Sequence, residues 1–122
     1  MGNPVGWFEI YVQDMARAKT FYETVLGVQL AKLDNTDMEM WTFAGDQNSY
    51  GTPGALVKMD GVPSGGNSVL VYFHSEDCAI EETRIVPAGG QICRSKTSIG
   101  PYGFIVLATD TEGNMFGLHS MQ

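Results

Sequence analysis

Glu9, His74 and His119 are the residues in this chain best suited to chemistry. Two imidazoles and a carboxylate are a recognised ligand set for a divalent metal ion, and the same groups could act as an acid/base pair. Trp7, Tyr11, Trp41, Tyr50, Tyr72 and Tyr102 could add a stacking pocket if several converge, although core packing is the ordinary role of each alone. Strand alternation governs which of these can meet. Trp7, Glu9 and Tyr11 share one face of an apolar segment, opposite Phe8, Ile10 and Val12. Leu70, Tyr72 and His74 share a face of a second segment, and Gly117 and His119 are in phase on a third. A carboxylate in the middle of an apolar strand is unusual. If Glu9 lines a cup with Trp7 and Tyr11, burial would raise its pKa and suit it to proton transfer or to a cationic ligand. The plainer alternatives are a wet Glu9 paired with Lys58 or Arg94, and histidines standing at strand ends in solvent.

The elements that must position these residues occur twice. A strand at Trp7 to Val12 leads to Asp14 as a cap and to a helix with Met15, Ala18, Phe21, Tyr22, Val25 and Leu26 at helical spacing, stopped by Gly27. Val28 to Leu33 and Met38 to Phe43 read as strands around the turn Asp34-Asn35-Thr36-Asp37. A Gly-containing loop, Gly45 to Pro53, and a short strand at Ala55 to Met59 follow. The second copy starts with a strand at Val69 to His74. A helix capped by Glu76 or Asp77 then runs to about Ala88, distorted near Pro87 and stopped by Gly89-Gly90. Strands at Gln91 to Thr97, Phe104 to Ala108 and Met115 to His119 complete it, the last two joined by the turn Asp110-Thr111-Glu112-Gly113-Asn114. Asp14 to Gly27 and Glu76 to Gly89 have the same spacing. A repeat of this kind predicts two βαβββ modules, residues 5–60 and 67–120, joined by a flexible linker at 61–66 in a single domain spanning 1–122. The expected class is α+β, with a curled mixed sheet around a central cup.

Composition narrows the possible partners. Seven basic and fourteen acidic residues give a net charge of -7 with no basic cluster, which disfavours nucleic acid and anionic membrane surfaces. The longest apolar runs are strand-sized, and the N-terminus lacks a secretory pattern or a myristoylation motif, so the chain reads as cytoplasmic. Cys78 and Cys93 lack metal-type spacing and are expected to be reduced, structural thiols. The sequence carries no P-loop, dinucleotide fingerprint, Ser-His-Asp signal or EF-hand.

Val12-Gln13-Asp14, Phe21-Tyr22 and Val25-Leu26-Gly27 resemble the opening motif of the vicinal oxygen chelate superfamily, which includes glyoxalases, bleomycin-resistance proteins and extradiol dioxygenases. The Asp110 to Asn114 turn with the strand after it resembles that superfamily's last hairpin, so the likeness spans Val5 to His119. It implies a glyoxalase-like fold, a small-molecule ligand, a homodimer and, in the enzymes, a divalent metal. The implied ligand positions fall at Trp7, near Leu70, at or near Gly117 and within Ala55 to Lys58, none of which offers His, Glu, Asp or Gln. Three functions remain open. One is a metal-free binding protein with an acidic, aromatic cup formed by Trp7, Glu9, Tyr11, Trp41, Leu70, Tyr72, His74, Tyr102, Gly117 and His119. Another is a lyase, isomerase or dioxygenase with displaced ligands Glu9, His74 and His119, in which Glu9 is the catalytic candidate. The third is a degenerate interaction module.

Overall fold

The computed structural model describes residues 3, 5, 7–34, 38–46, 48–49 and 51–122; Tyr50 and the turn residues Asn35, Thr36 and Asp37 lie outside them. The first module contains β1 (Glu9–Tyr11), α1 (Met15–Leu26), β2 (Leu30–Lys32), β3 (Glu39–Phe43) and β4 (Ala55–Lys58). The second contains β5 (Tyr72–His74), α2 (Cys78–Ile85), β6 (Gln91–Ser98), β7 (Phe104–Thr109) and β8 (Met115–Ser120), with a 3-10 turn at Gly100–Tyr102. Each module forms a four-stranded mixed sheet, ordered β1-β4-β3-β2 in one and β5-β8-β7-β6 in the other. In both, the first strand pairs parallel with the last and the other pairs are antiparallel. The architecture is α+β, and the shared strand order is the duplication seen in the spacing.

Strand alternation separates a helix-facing side of each sheet from an open side. Phe21, Tyr22 and Val25 of α1, Leu56 of β4, Ile85 of α2 and Val106, Phe116 and Leu118 of the second sheet form one buried cluster spanning both modules. Its centre is aromatic: Tyr22 meets Phe43 with ring centroids 5.7 Å apart and Phe116 at 5.6 Å, and Phe21 meets Phe116 at 5.9 Å. Each such side chain contributes roughly 1.5–3 kcal/mol by burial, with a smaller gain from the edge-to-face contacts. The modules therefore pack through their helix sides. Met40, Ala55 and Val57 form a smaller cluster with Tyr11 on the open side of the first sheet.

Local chemistry sets the element ends. Asp14 accepts a hydrogen bond from the Arg17 amide at 3.0 Å, and Gly27, at φ 68°, donates to the Glu23 carbonyl. Asp77, not Glu76, caps α2 by accepting from the Ala79 amide. Helix α2 ends at Ile85, three residues short of Ala88. Pro87 has no amide to offer the Thr83 carbonyl, and a turn through Ala88, Gly89 and Gly90 closes the end instead. Strands β1 and β5 are shorter than the apolar runs predict, because β4 and β8 pair with only three residues of each.

The linker also differs from expectation. It is pinned: Gln13 Nε2 donates to the Val62 carbonyl, Ser64 Oγ to the Glu112 carbonyl, and the Gly65 amide to Asn114 Oδ1 at 2.6 Å. Glycine-rich composition predicts flexibility and carries no signal of these partners. Both cysteines are free thiols; Cys78 is buried as expected of a structural thiol, whereas Cys93 is exposed.

Candidate functional site

Strand β1 carries the best-organised polar group on the open side. Glu9 accepts the Tyr11 hydroxyl at 2.8 Å and the Trp7 indole N–H at 3.3 Å, so three alternate residues on one strand face form a single unit. The Glu9 carboxylate next to it, by hydrogen bond, together with partial burial and negative charge, raises the Tyr11 pKa, which keeps Tyr11 a neutral donor. Glu9 itself is exposed. The burial on which a proton-transfer role depended is missing, and its partners are Trp7 and Tyr11 in place of Lys58 or Arg94. An exposed carboxylate framed by two aromatic rings is suited to holding a cation.

A cavity of about 230 Å³ lies beside this unit, lined by Phe8 to Tyr11 on one side, by Pro63, Gly65, Asn67, Val69 and Val71 on the other, and by Asn114 and Met115. It lies between β1 and the segment that leads into β5. A shallow groove of about 250 Å³ between α1 and β3 is lined by Lys19, Glu39 and Trp41 among others. There Lys19 already pairs with Glu23 and lies over the Trp41 ring, and Glu39 takes the Trp41 indole N–H, so its polar groups satisfy one another. The β1 cavity is the better site.

Trp41 is thus not part of the cup. It is opposite Leu56 in the sheet register, on the side that packs against α1, and Met40 and Thr42 take the open side. On the second sheet, Tyr72, His74, Gly117 and His119 share the open side, with Tyr72 beside Gly117 and His74 beside His119. A Cβ at Gly117 would lie 2.4 Å from the Tyr72 ring, so the ring lies against the glycine and occupies that part of the strand. Leu70 and Tyr72 are exposed. His74 is exposed, while the half-buried His119 donates from Nε2 to the Tyr102 carbonyl at 2.6 Å. Tyr102 is 72% exposed on the 3-10 turn and meets His119 through its backbone carbonyl, away from the residues that line the β1 cavity. Glu9, His74 and His119 do not assemble: among the described residues, no three His, Cys, Asp or Glu side chains converge as a metal set.

The last hairpin turn contributes residues that sequence reasoning missed. Glu112, with no exposed side-chain surface, accepts from the amides of Gln13 and Asp14 at 2.9 Å and from Arg17 Nε at 2.7 Å. Burial alone would raise its pKa, but Arg17, the two amides and the Thr111 hydroxyl outweigh burial and hold it at about 2. Asp110 accepts the Tyr22 hydroxyl at 2.6 Å, and Asn114 Nδ2 donates to the Tyr11 carbonyl at 2.9 Å. Asn114 thereby fixes β1, and the Glu9 unit with it. The available signal was Arg17 in the first turn of a helix with no acid there, since a cation at that end needs an anion from elsewhere.

With this geometry in place, comparison with known proteins identifies the fold. Residues 5–45 match the family model described as bleomycin resistance protein-like N-terminal. A hypothetical protein from S. aureus, SA1046, superposes with a TM-score of 0.75 at 17% identity over 98% of this chain and 95% of its own. TnmS3, an antibiotic binding protein from Streptomyces sp. CB03234, gives 0.70 at 21% identity over 99% and 98%. A glyoxalase I mutant from Zea mays gives 0.73 at 25% identity, with 96% of this chain covering 46% of that one. No curated protein sequence matches.

Proposed function

We propose that this member of the vicinal oxygen chelate superfamily is a binding protein that holds a small cationic molecule against the open face of β1. The observation that carries this reading is the Trp7-Glu9-Tyr11 unit, an exposed carboxylate hydrogen-bonded between two aromatic rings at the mouth of the β1 cavity. The net charge of -7 draws cations toward it, and Trp7, at 43% exposure, is accessible for stacking. The antibiotic-binding relative shows that this fold accommodates a binder as well as an enzyme. The exposed apolar residues Trp7, Leu70 and Tyr72 support a homodimer whose second copy flanks the cup, which sedimentation velocity can check. No helix among the described residues is long and apolar enough to cross a membrane.

The test uses Trp7 fluorescence in a Trp41→Phe background, with an N-methylacridinium ion as the probe. We expect saturable quenching, weakened about tenfold by Glu9→Gln, the scale of one charge-assisted contact. Absence of saturable quenching, or equal affinity for the Glu9→Gln variant, would overturn the reading.

A further inference from the structure

Strand β1 is a sheet edge with an unpaired side. Its pairing with β4 uses the Phe8 carbonyl, which accepts from Ala55, and the Val12 amide, which donates to Val57. In a parallel ladder of this register the amide and carbonyl of Ile10 also face β4, so those of Glu9 and Tyr11 point the other way. The Tyr11 carbonyl is taken by Asn114 Nδ2. Among the described residues the Glu9 amide, the Glu9 carbonyl and the Tyr11 amide have no such partner, and Glu9 and Tyr11 line the β1 cavity. Strand β5 repeats the arrangement. The Val71 carbonyl and Ser75 amide are bonded to β8, which leaves the backbone groups of Tyr72 and His74 directed away from it. An open edge is a template for another strand, and most folds cover or charge such edges. Here one side chain, Asn114, takes a single carbonyl, and two donors and an acceptor remain open next to a carboxylate.

We infer that the β1 edge recognises an extended, amide-bearing ligand, a short peptide-like segment that pairs with the Glu9 backbone and directs a cationic group to the Glu9 carboxylate. This rests on the reading that the β1 face is the binding site, and it names the ligand class. Two features select this occupant. The strand-spaced donor and acceptor match a secondary amide, and the negative charge of the edge and of the whole chain complements a basic segment. Pairing by edge addition supplies backbone hydrogen bonds, while Trp7 and Tyr11 supply side-chain contacts on the same face.

Amide hydrogen exchange of the full-length protein tests this, with acetyl-Thr-Lys-Thr-Lys-N-methylamide as the probe and the same peptide N-methylated at alternate amides as the control. The unmodified peptide should slow exchange of the Glu9 and Tyr11 amides by about tenfold, whereas the N-methylated one should not. Equal protection by both peptides would show cation binding without edge pairing and overturn the inference alone. Protection by neither, with acridinium quenching of Trp7 intact, would do the same. Loss of that quenching as well would sink the functional reading too. Protection that grows with protein concentration and needs no peptide would assign the edge to a second copy of the chain, which also overturns the inference.

Discussion

The two helices begin alike and are completed differently. Helix α2 draws its end charges from its own module: Asp77 caps it, Glu81 stands in its first turn, and Lys96 on β6 pairs with Asp77 at 2.8 Å. Ser120 on β8 accepts the Cys78 amide. Helix α1 has no acid in its first turn and no base in its last. Both are supplied by the other module: Glu112 sits at its N-terminus, and Arg84 reaches from α2 to donate to the Val25 carbonyl at 3.1 Å. Two copies of one topology have become unequal, and the first module depends on the second. The strand bearing the Glu9 unit shares that dependence, because Asn114 of the same turn holds it.

The sharpest break in this comparison is Glu112→Ala. The substitution strands two amides at a buried position and takes the partner from the half-exposed Arg17 guanidinium, and it should lower stability by about 3 kcal/mol, read as a fall in the urea midpoint. The pH dependence follows from the same group. A folded-state pKa of about 2 against an ordinary 4.5 means that the contribution is fully present above pH 4.5 and is lost as pH falls through about 2. Glu112→Gln should flatten the stability profile across that window. A wild-type midpoint that does not change there would refute the clamp.

Asn114→Ala should have the next largest effect, about 1–2 kcal/mol, from loss of the bonds to the Tyr11 carbonyl and the Gly65 amide. Its second readout is binding. Freed from Asn114, β1 should lose affinity for the acridinium probe beyond what the stability loss explains, whereas Arg84→Met should leave binding unchanged. Arg84→Met removes the donor at the C-terminus of α1 and should cost about 1 kcal/mol. Equal probe affinity for Asn114→Ala and the wild type would separate the turn from the site.

Much of this asymmetry was hidden in the sequence. Periodicity placed both helices and every strand to within a few residues, because Met15, Ala18, Phe21, Tyr22 and Val25 must share the buried face of α1. The face shared by Trp7, Glu9 and Tyr11 was legible for the same reason. Trp41 was not, since its aromatic character suggested the cup while its parity in β3 turned it toward α1. The exposure of Glu9 and the separation of Glu9 from the histidines depend on how the two sheets are set against one another, which no local pattern records. Glu112 read as one residue of a hairpin turn, and only its contact with α1, almost the whole chain away, shows its role.

The smallest effect is expected within the second module, where the comparison predicts redundancy. Lys96 is hydrogen-bonded to Asp77 and lies over the Phe104 ring at 4.7 Å, yet the pair is solvent-accessible and screened by salt. The Lys96 bond is the main reason the Asp77 pKa is lowered, followed by the bond from the Ala79 amide. Lys96→Met should therefore return the Asp77 titration part of the way toward its ordinary value, because the Ala79 amide remains. A carbon-detected carboxyl titration would read that change, while the urea midpoint at neutral pH should fall far less than in Glu112→Ala. A depressed folded-state pKa stabilises above the ordinary value and loses that stabilisation as pH falls through the folded one, so the small loss in this variant should vanish under acid. If Lys96→Met instead destabilised the fold as much as Glu112→Ala, the second module would be no more self-sufficient than the first, and the one-way dependence would be wrong.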